Sequence, residues 1–174
     1  MQMQKNLFFV LIFTILISSC STTPLDMTLS SIPDVKRQSV ELKSITVGYE
    51  ATTRGVKLET NHLVPPAWET ALQDAVNRSL IFGDDLDRKI TISVRINHFD
   101  LPAAGFAMTS DCGAFYEIMD RSNGDVIFTA DIRSSGTTPM DYAFVGVVRV
   151  QESINRCARN NITDFLNQLN QVSL

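Results

Sequence analysis

Three cysteines and two histidines are the side chains of this 174-residue chain best suited to covalent or acid–base chemistry. Cys20 has the most defined setting. Ahead of it Lys5 is the only charge, and Leu7 to Ile17 is apolar except for Thr14. Ser18 and Ser19 then place two small residues directly before the thiol. The two serines give a small-residue site that a peptidase can grip. The apolar run is too short to span a hydrocarbon core, which needs roughly 20 residues as helix. It has the length of a signal-peptide h-region. Cys112 and Cys157 can form a disulfide in an oxidising compartment, or stay as two buried thiols. Their spacing does not decide between these, because a bond needs Cα atoms within roughly 7 Å.

The histidines have no companions that would make a catalytic set. His98 stands near the end of an alternating stretch, where the phase of Ile96 turns it toward the core or its rim. His62 falls in the loop before Pro65. No serine sits in a Gly-x-Ser-x-Gly setting, so Ser-His-Asp chemistry has no visible nucleophile. The Asp84-Asp85-Leu86-Asp87 cluster lacks the glycine and distal glutamate of an EF-hand loop and reads as a solvated turn. No cofactor, metal or catalytic residue is therefore expected. The chain carries 15 basic and 19 acidic residues. Without Lys5 that leaves 14 against 19, with no basic stripe, which argues against a nucleic-acid partner.

The elements that must position these residues follow from periodicity. Val40 to Tyr49 alternates, and its phase reverses at Lys43-Ser44, which predicts a strand with a bulge. Val56 to Thr60 is weakly extended. Ala67 to Phe82 repeats apolar residues at helical spacing through Trp68, Leu72, Ala75, Val76 and Leu80, with Pro66 at its start and Gly83 at its end. Lys89 to Phe99 alternates cleanly, Ile90, Ile92, Val94 and Ile96 against Thr91, Ser93, Arg95 and Asn97. Leu101 to Gly105 is a loop. Ala114 to Met119 and Val126 to Arg133 form a hairpin around Asn123-Gly124. Ser134 to Pro139 reads as a second loop. Val145 to Gln168 is a long helix whose stripe includes Val147, Val150, Ile154, Cys157, Ile162, Phe165 and Leu166. The fold class is α+β: a two-layer sandwich, with a largely antiparallel sheet of about four strands and two helices on one face.

Ile17-Ser18-Ser19-Cys20 resembles the bacterial lipobox, an aliphatic residue and two small ones before cysteine. The resemblance implies that Cys20 is diacylated on sulfur, that the signal is cut before it, and that the new amine is acylated. Ser21 in place of aspartate implies sorting to the outer membrane. Residues 1–19 are then a lipoprotein signal peptide, residues 20–38 a lipidated cysteine and flexible tether, and residues 39–174 one periplasmic domain. The element order also resembles the small auxiliary lipoproteins of transport systems, those serving ABC-type lipid transporters and lipopolysaccharide assembly. It is carried by Cys20, Val40 to Tyr49, Trp68 and Leu72, Ile90 to Phe99, Tyr116 to Ile132 around Gly124, and Val147 to Leu169. That likeness implies a non-enzymatic binding or accessory role in envelope transport or assembly, with an envelope protein or a lipid as partner. The alternative is an enzyme or inhibitor directed at the cell wall. Trp68 is a candidate partner contact if exposed, although a core role suits it better, and Phe106 and Met108 form a candidate apolar lip after Gly105.

Overall fold

Ile90, Ile92, Val94 and Ile96 are all buried, and the strand that carries them is the centre of the molecule. The computed structural model describes residues 24–54, 61–102 and 105–174, without side chains at 52–54 and 61. Cys20 and the Val56 to Thr60 stretch lie outside the described residues. Four strands, β1 (Glu41–Arg54), β2 (Lys89–Asp100), β3 (Met108–Asp120) and β4 (Val126–Thr138), form one sheet in the order β1-β2-β3-β4. Two helices, α1 (Val64–Ser79) and α2 (Gly146–Leu169), complete the α+β arrangement.

β1 and β2 run parallel, and the other two pairings are antiparallel. A parallel neighbour needs a crossover, and α1 supplies it. The β1 register slips between Leu42 and Ser44, where the alternation reverses. Pro65 and Pro66 sit in the first turn of α1, where a missing N–H leaves no bond unmade, so the helix starts at Val64, ahead of the expected Ala67. It ends at Ser79, not at Gly83. Leu80 takes a left-handed conformation, φ 51°, which turns Ile81 into the core. The Ile81 carbonyl then accepts the Gln38 N–H at 2.6 Å.

The hairpin turns where expected, with Gly124 at φ 81° and its N–H donating to the Asp120 carbonyl. Both its strands are longer than the alternation suggests. Met108 pairs with Thr138 and Ser110 with Gly136, so Ser134 to Thr138 is strand and not loop. Gly136 explains the misreading. A Cβ there would lie 2.3 Å from the Cys157 nitrogen and 2.4 Å from the Ser153 carbonyl oxygen. The glycine marks a close approach of β4 to α2, and the hydroxyl of its cross-strand partner Ser110 bonds that of Ser153 at 2.7 Å.

One face of the sheet carries the core. Trp68 and Leu72 of α1 and Ile162, Phe165 and Leu166 of α2 pack with the β2 isoleucines, Tyr116 and Ile118. Each such side chain contributes about 1.5–3 kcal/mol when fully buried. The segment read as a flexible tether belongs to this core too. Met27 and Leu29 are buried, and Leu25, Ile32 and Val35 pack against the cluster. Residues 24–38 form an extended strap held by both helices. Arg159 of α2 donates to the Asp26 carbonyl at 2.7 Å, and Arg78 of α1 to that of Leu29 at 2.8 Å. The Lys36 N–H donates to Asn170 Oδ1 at 2.6 Å, and the Gln38 amide to the Val172 carbonyl at 3.0 Å. A serine- and proline-rich composition does not prevent docking when two apolar side chains reach a gap between helices.

Candidate functional site

The core face holds a chain of buried polar groups that could be mistaken for a site. Trp68 is fully buried, so it is a core anchor and not a contact for a partner. Its indole N–H donates to the Tyr116 hydroxyl at 3.3 Å, which donates to Asn161 Oδ1 at 2.9 Å. Asn161 Nδ2 donates onward to the Ile132 carbonyl at 3.0 Å. Burial pushes the Tyr116 hydroxyl well above its usual pKa, so it stays a donor. Its ring stacks on Phe165 at 4.2 Å between centroids. Every group in the chain is paired, and none opens to solvent; it ties α1, β3, α2 and β4 together. Cys112 of β3 and Cys157 of α2 are joined in a disulfide with Cα atoms 6.2 Å apart. These two sulfurs link strand to helix beside the same layer.

The opposite face of the sheet is polar and open. Arg95 pairs with Glu117 and lies over the Phe115 ring at 4.9 Å. Asn97 donates to Asp131 at 3.0 Å. Gly113 lets Asn97 and Arg133 fold across the sheet, since a Cβ there would lie 2.7 Å from Asn97 Oδ1 and 2.9 Å from Arg133 Cδ. Beside them a shallow depression of about 400 Å³ is lined by His98, Asp111, Cys112, Arg133, Ser134 and Ser135. The register shift between Ile96 and His98 turns the imidazole to this rim. Among the described residues no side-chain hydrogen bond joins His98 to Asp111. His62 lies in a short 3-10 turn before α1, exposed and away from the depression. Asp84, Asp85 and Asp87 are exposed in the turn before β2. Among the described residues no three His, Cys, Asp or Glu side chains converge as a metal site. The depression is lined by polar and charged side chains, and the Ser134 hydroxyl in its lining donates to Asp164 Oδ2 at 2.9 Å.

The second surface is apolar and lies at one end of the molecule. Phe106 is 80% exposed, in keeping with a lip after Gly105, but Met108 is buried. Met108 begins β3 with its side chain turned to the helix layer, where a Cβ on Gly146 would sit 3.8 Å from its Cε. Phe106 is instead joined by residues the sequence reading passed over. Met140, Tyr142, Phe144 and Val145, between β4 and α2, are exposed, Phe144 completely so. Val147, assigned to the buried stripe of α2, is 61% exposed and Val148 is also exposed. The β3–β4 ladder fixes the arrangement: with Met108 opposite Thr138, the chain two residues beyond each brings Phe106 and Met140 to the same end. For the residues ahead of the helix the signal was available in 139–146, which hold a single charge, Asp141, within an otherwise apolar and proline–glycine sequence.

No protein-family model matches the chain, and no curated protein matches its sequence. Solved structures match the chain over most of its length. A Xanthomonas campestris protein of the family DUF330 is 12% identical, with 86% of this chain and 92% of that chain covered and a TM-score of 0.52. A PelC dodecamer from Paraburkholderia phytofirmans is 14% identical, covering 81% and 94%, with a TM-score of 0.47. A minor lipoprotein from Acinetobacter baumannii is 19% identical, covering 80% and 91%, with a TM-score of 0.38. At 12% identity the likeness to the Xanthomonas protein is one of fold alone. Among the described residues no helix is long and apolar enough to cross a membrane.

Proposed function

We propose that this chain is an outer-membrane lipoprotein, anchored through acyl chains on Cys20, whose periplasmic domain acts as a non-enzymatic binding component of an envelope transport or assembly system. The observation that carries the reading is the sequence Ile17-Ser18-Ser19-Cys20 set only four residues before Pro24, where the described strap begins. An anchor so placed holds a prefolded domain at the membrane surface. Two or more acyl chains make such an anchor stable, where a single chain is marginal. The polar sheet face, with Arg133, Asp111 and His98 around its depression, is the surface offered to an envelope protein or a lipid headgroup.

Two measurements test the two halves. Labelled palmitate is expected to enter the wild-type chain and to be absent from Cys20→Ser; label retained in that variant removes the anchor. A photocrosslinking residue at Thr129 or Asp131, on the open face, is expected to capture a reproducible envelope partner or lipid in living cells. Failure at both positions, with the protein present in the membrane fraction, counts against the binding role. A non-enzymatic role also predicts that His62→Ala with His98→Ala keeps the wild-type phenotype.

A further inference from the structure

We propose that the apolar lip formed by Phe106, Met140, Tyr142, Phe144, Val147 and Val148 enters the interface of the bilayer that holds the Cys20 acyl chains, so that the domain stands on the membrane in one fixed orientation. The inference rests on the anchor reading above. Its geometry comes from the strap. Asp26 is tied to Arg159 in the middle of α2, and Lys36 is tied to Asn170 at the C-terminal end. The strap therefore runs along α2 toward that end, and followed backwards it points to the N-terminal end, where the lip lies. Six residue steps lead from Cys20 to Asp26 and reach at most about 22 Å at 3.3–3.6 Å each. From Arg159 back to Val147 the helix rises about 18 Å at 1.5 Å per residue. The lipidated cysteine can thus reach the level of the lip, and it cannot carry the domain far beyond it.

The chemistry of the two ends selects the orientation. Away from the lip, the exposed helix positions Asn77, Arg78 and Asn160 are polar. The lip offers two fully or largely exposed phenylalanines, valines and a methionine with one carboxylate, Asp141. Among the described residues nothing covers Phe144, at 101% relative exposure, and little covers Phe106, at 80%. Exposed aromatic and aliphatic side chains beside a short lipid leash are what an interfacial contact requires, burying some 5–10 Å into the headgroup and acyl boundary. This orientation points the lip to the bilayer and leaves the open sheet face standing upright, free to meet a periplasmic partner.

The test uses the acylated full-length mature protein in phosphatidylethanolamine–phosphatidylglycerol vesicles whose acyl chains are brominated. Phe144→Trp places an indole on the lip, and Val126→Trp places one beside the hairpin turn at the opposite end of the sheet. The signal of Trp68, buried in the core, is subtracted with the wild-type protein. The expected result is strong quenching and a blue shift for Phe144→Trp, with neither for Val126→Trp. If acylated protein floats with the vesicles and the Phe144→Trp indole is unquenched, the lip proposal is overturned while the anchor stands. If that unquenched protein also crosslinks to a second copy through the lip, the occupant is another copy and the proposal is equally overturned. If mass analysis finds no acyl chain on Cys20, the anchor reading fails and takes the lip proposal with it.

Discussion

Removing one oxygen atom, in Tyr116→Phe, should cost far more than the loss of a surface hydroxyl. The ring remains stacked on Phe165 at 4.2 Å, so the packing of the side chain is almost unchanged. What changes is hydrogen bonding among residues with no solvent exposure. The Trp68 indole N–H loses its acceptor at 3.3 Å, and Asn161 Oδ1 loses its donor at 2.9 Å. Leaving a buried polar group unpaired costs about 1–3 kcal/mol each. The longer Trp68 bond belongs at the low end, and Asn161 keeps its own bond to the Ile132 carbonyl. The expected loss is about 2–4 kcal/mol. Urea unfolding of the oxidised domain, followed by circular dichroism and Trp68 fluorescence, measures it as a lower midpoint at constant slope. A double-mutant cycle with Trp68→Phe separates the two contacts, since the pair should couple. A loss below about 0.5 kcal/mol, the range of ordinary surface changes, would show that the chain of hydrogen bonds does not organise the core.

Three other perturbations reach different parts of the same layer. Gly136→Ala drives a methyl into the backbone of α2 at Cys157 and Ser153; a loss at or above the usual 1–3 kcal/mol of overpacking is expected in thermal melts. Gly48→Ala, with open space around its Cβ position, serves as the control and should stay within about 0.5 kcal/mol. The disulfide closes a sequence separation of 45, so replacing both cysteines with alanine should lower stability by about 4 kcal/mol on the chain-entropy estimate; an unchanged urea midpoint would contradict it. The Ser122 hydroxyl, then Arg88, hold the Asp120 carboxyl down at about 2. A depressed carboxyl contributes stability above its unfolded value, near 3.9, and that contribution is lost as pH falls through the folded value. Asp120→Asn should therefore flatten the acid limb of the stability curve between about pH 4 and pH 2 relative to wild type, as read by urea midpoints.

The parts of the fold that can be read in advance are those where a local pattern and its tertiary use coincide. Ile90 to Ile96 alternates because one face of β2 is buried along its length, and the phase reversal at Lys43-Ser44 is a bulge because β1 must keep its apolar side inward. Asn123-Gly124 names its turn because only a residue at ease with positive φ fits there. The misreadings have a common cause: a residue type whose usual meaning is local was serving a distant contact. Gly136 and its neighbouring serines resemble loop residues, and the glycine is there so that a helix backbone can lie against a strand. Pro24, Pro33 and the serines between them resemble a tether, while Met27 and Leu29 fill a gap that exists only once both helices are packed. Met108 points inward because of where β3 begins, which periodicity leaves uncertain by a few residues, whereas Trp68 lies on the apolar face that its spacing with Leu72, Ala75 and Val76 predicts. For the candidate surfaces, Phe106 could be found by its place after a glycine loop. Val147 and Val148 could not, because valines that extend a buried stripe by one turn have the same spacing as valines that leave it.

The strap changes what an anchor at Cys20 would mean physically. A domain on a free tether samples many heights and orientations, and its contacts with the membrane average out. Here Leu25, Met27 and Leu29 are part of the core assembly, and Arg159 grips the strap at Asp26 while bonding Glu152 at 3.2 Å. Burial alone would raise the Glu152 carboxyl, but Arg156, Arg159 and Asn155 outweigh it and hold the group below its ordinary value. The grip is therefore charged at neutral pH and braced from α2. That helix also carries the disulfide, Asn161 and Ser153, and Asn170 caps its end, so it is linked to β3, β4 and the strap. A pull on the strap is transmitted to α2, and through α2 to the sheet, without an intervening hinge. With the apolar lip at the first turn of the same helix, α2 would act as a strut between the proposed membrane-facing end and the open sheet face. A small domain so built can hold a binding surface at a set distance and angle from a bilayer, which a flexible leash cannot do.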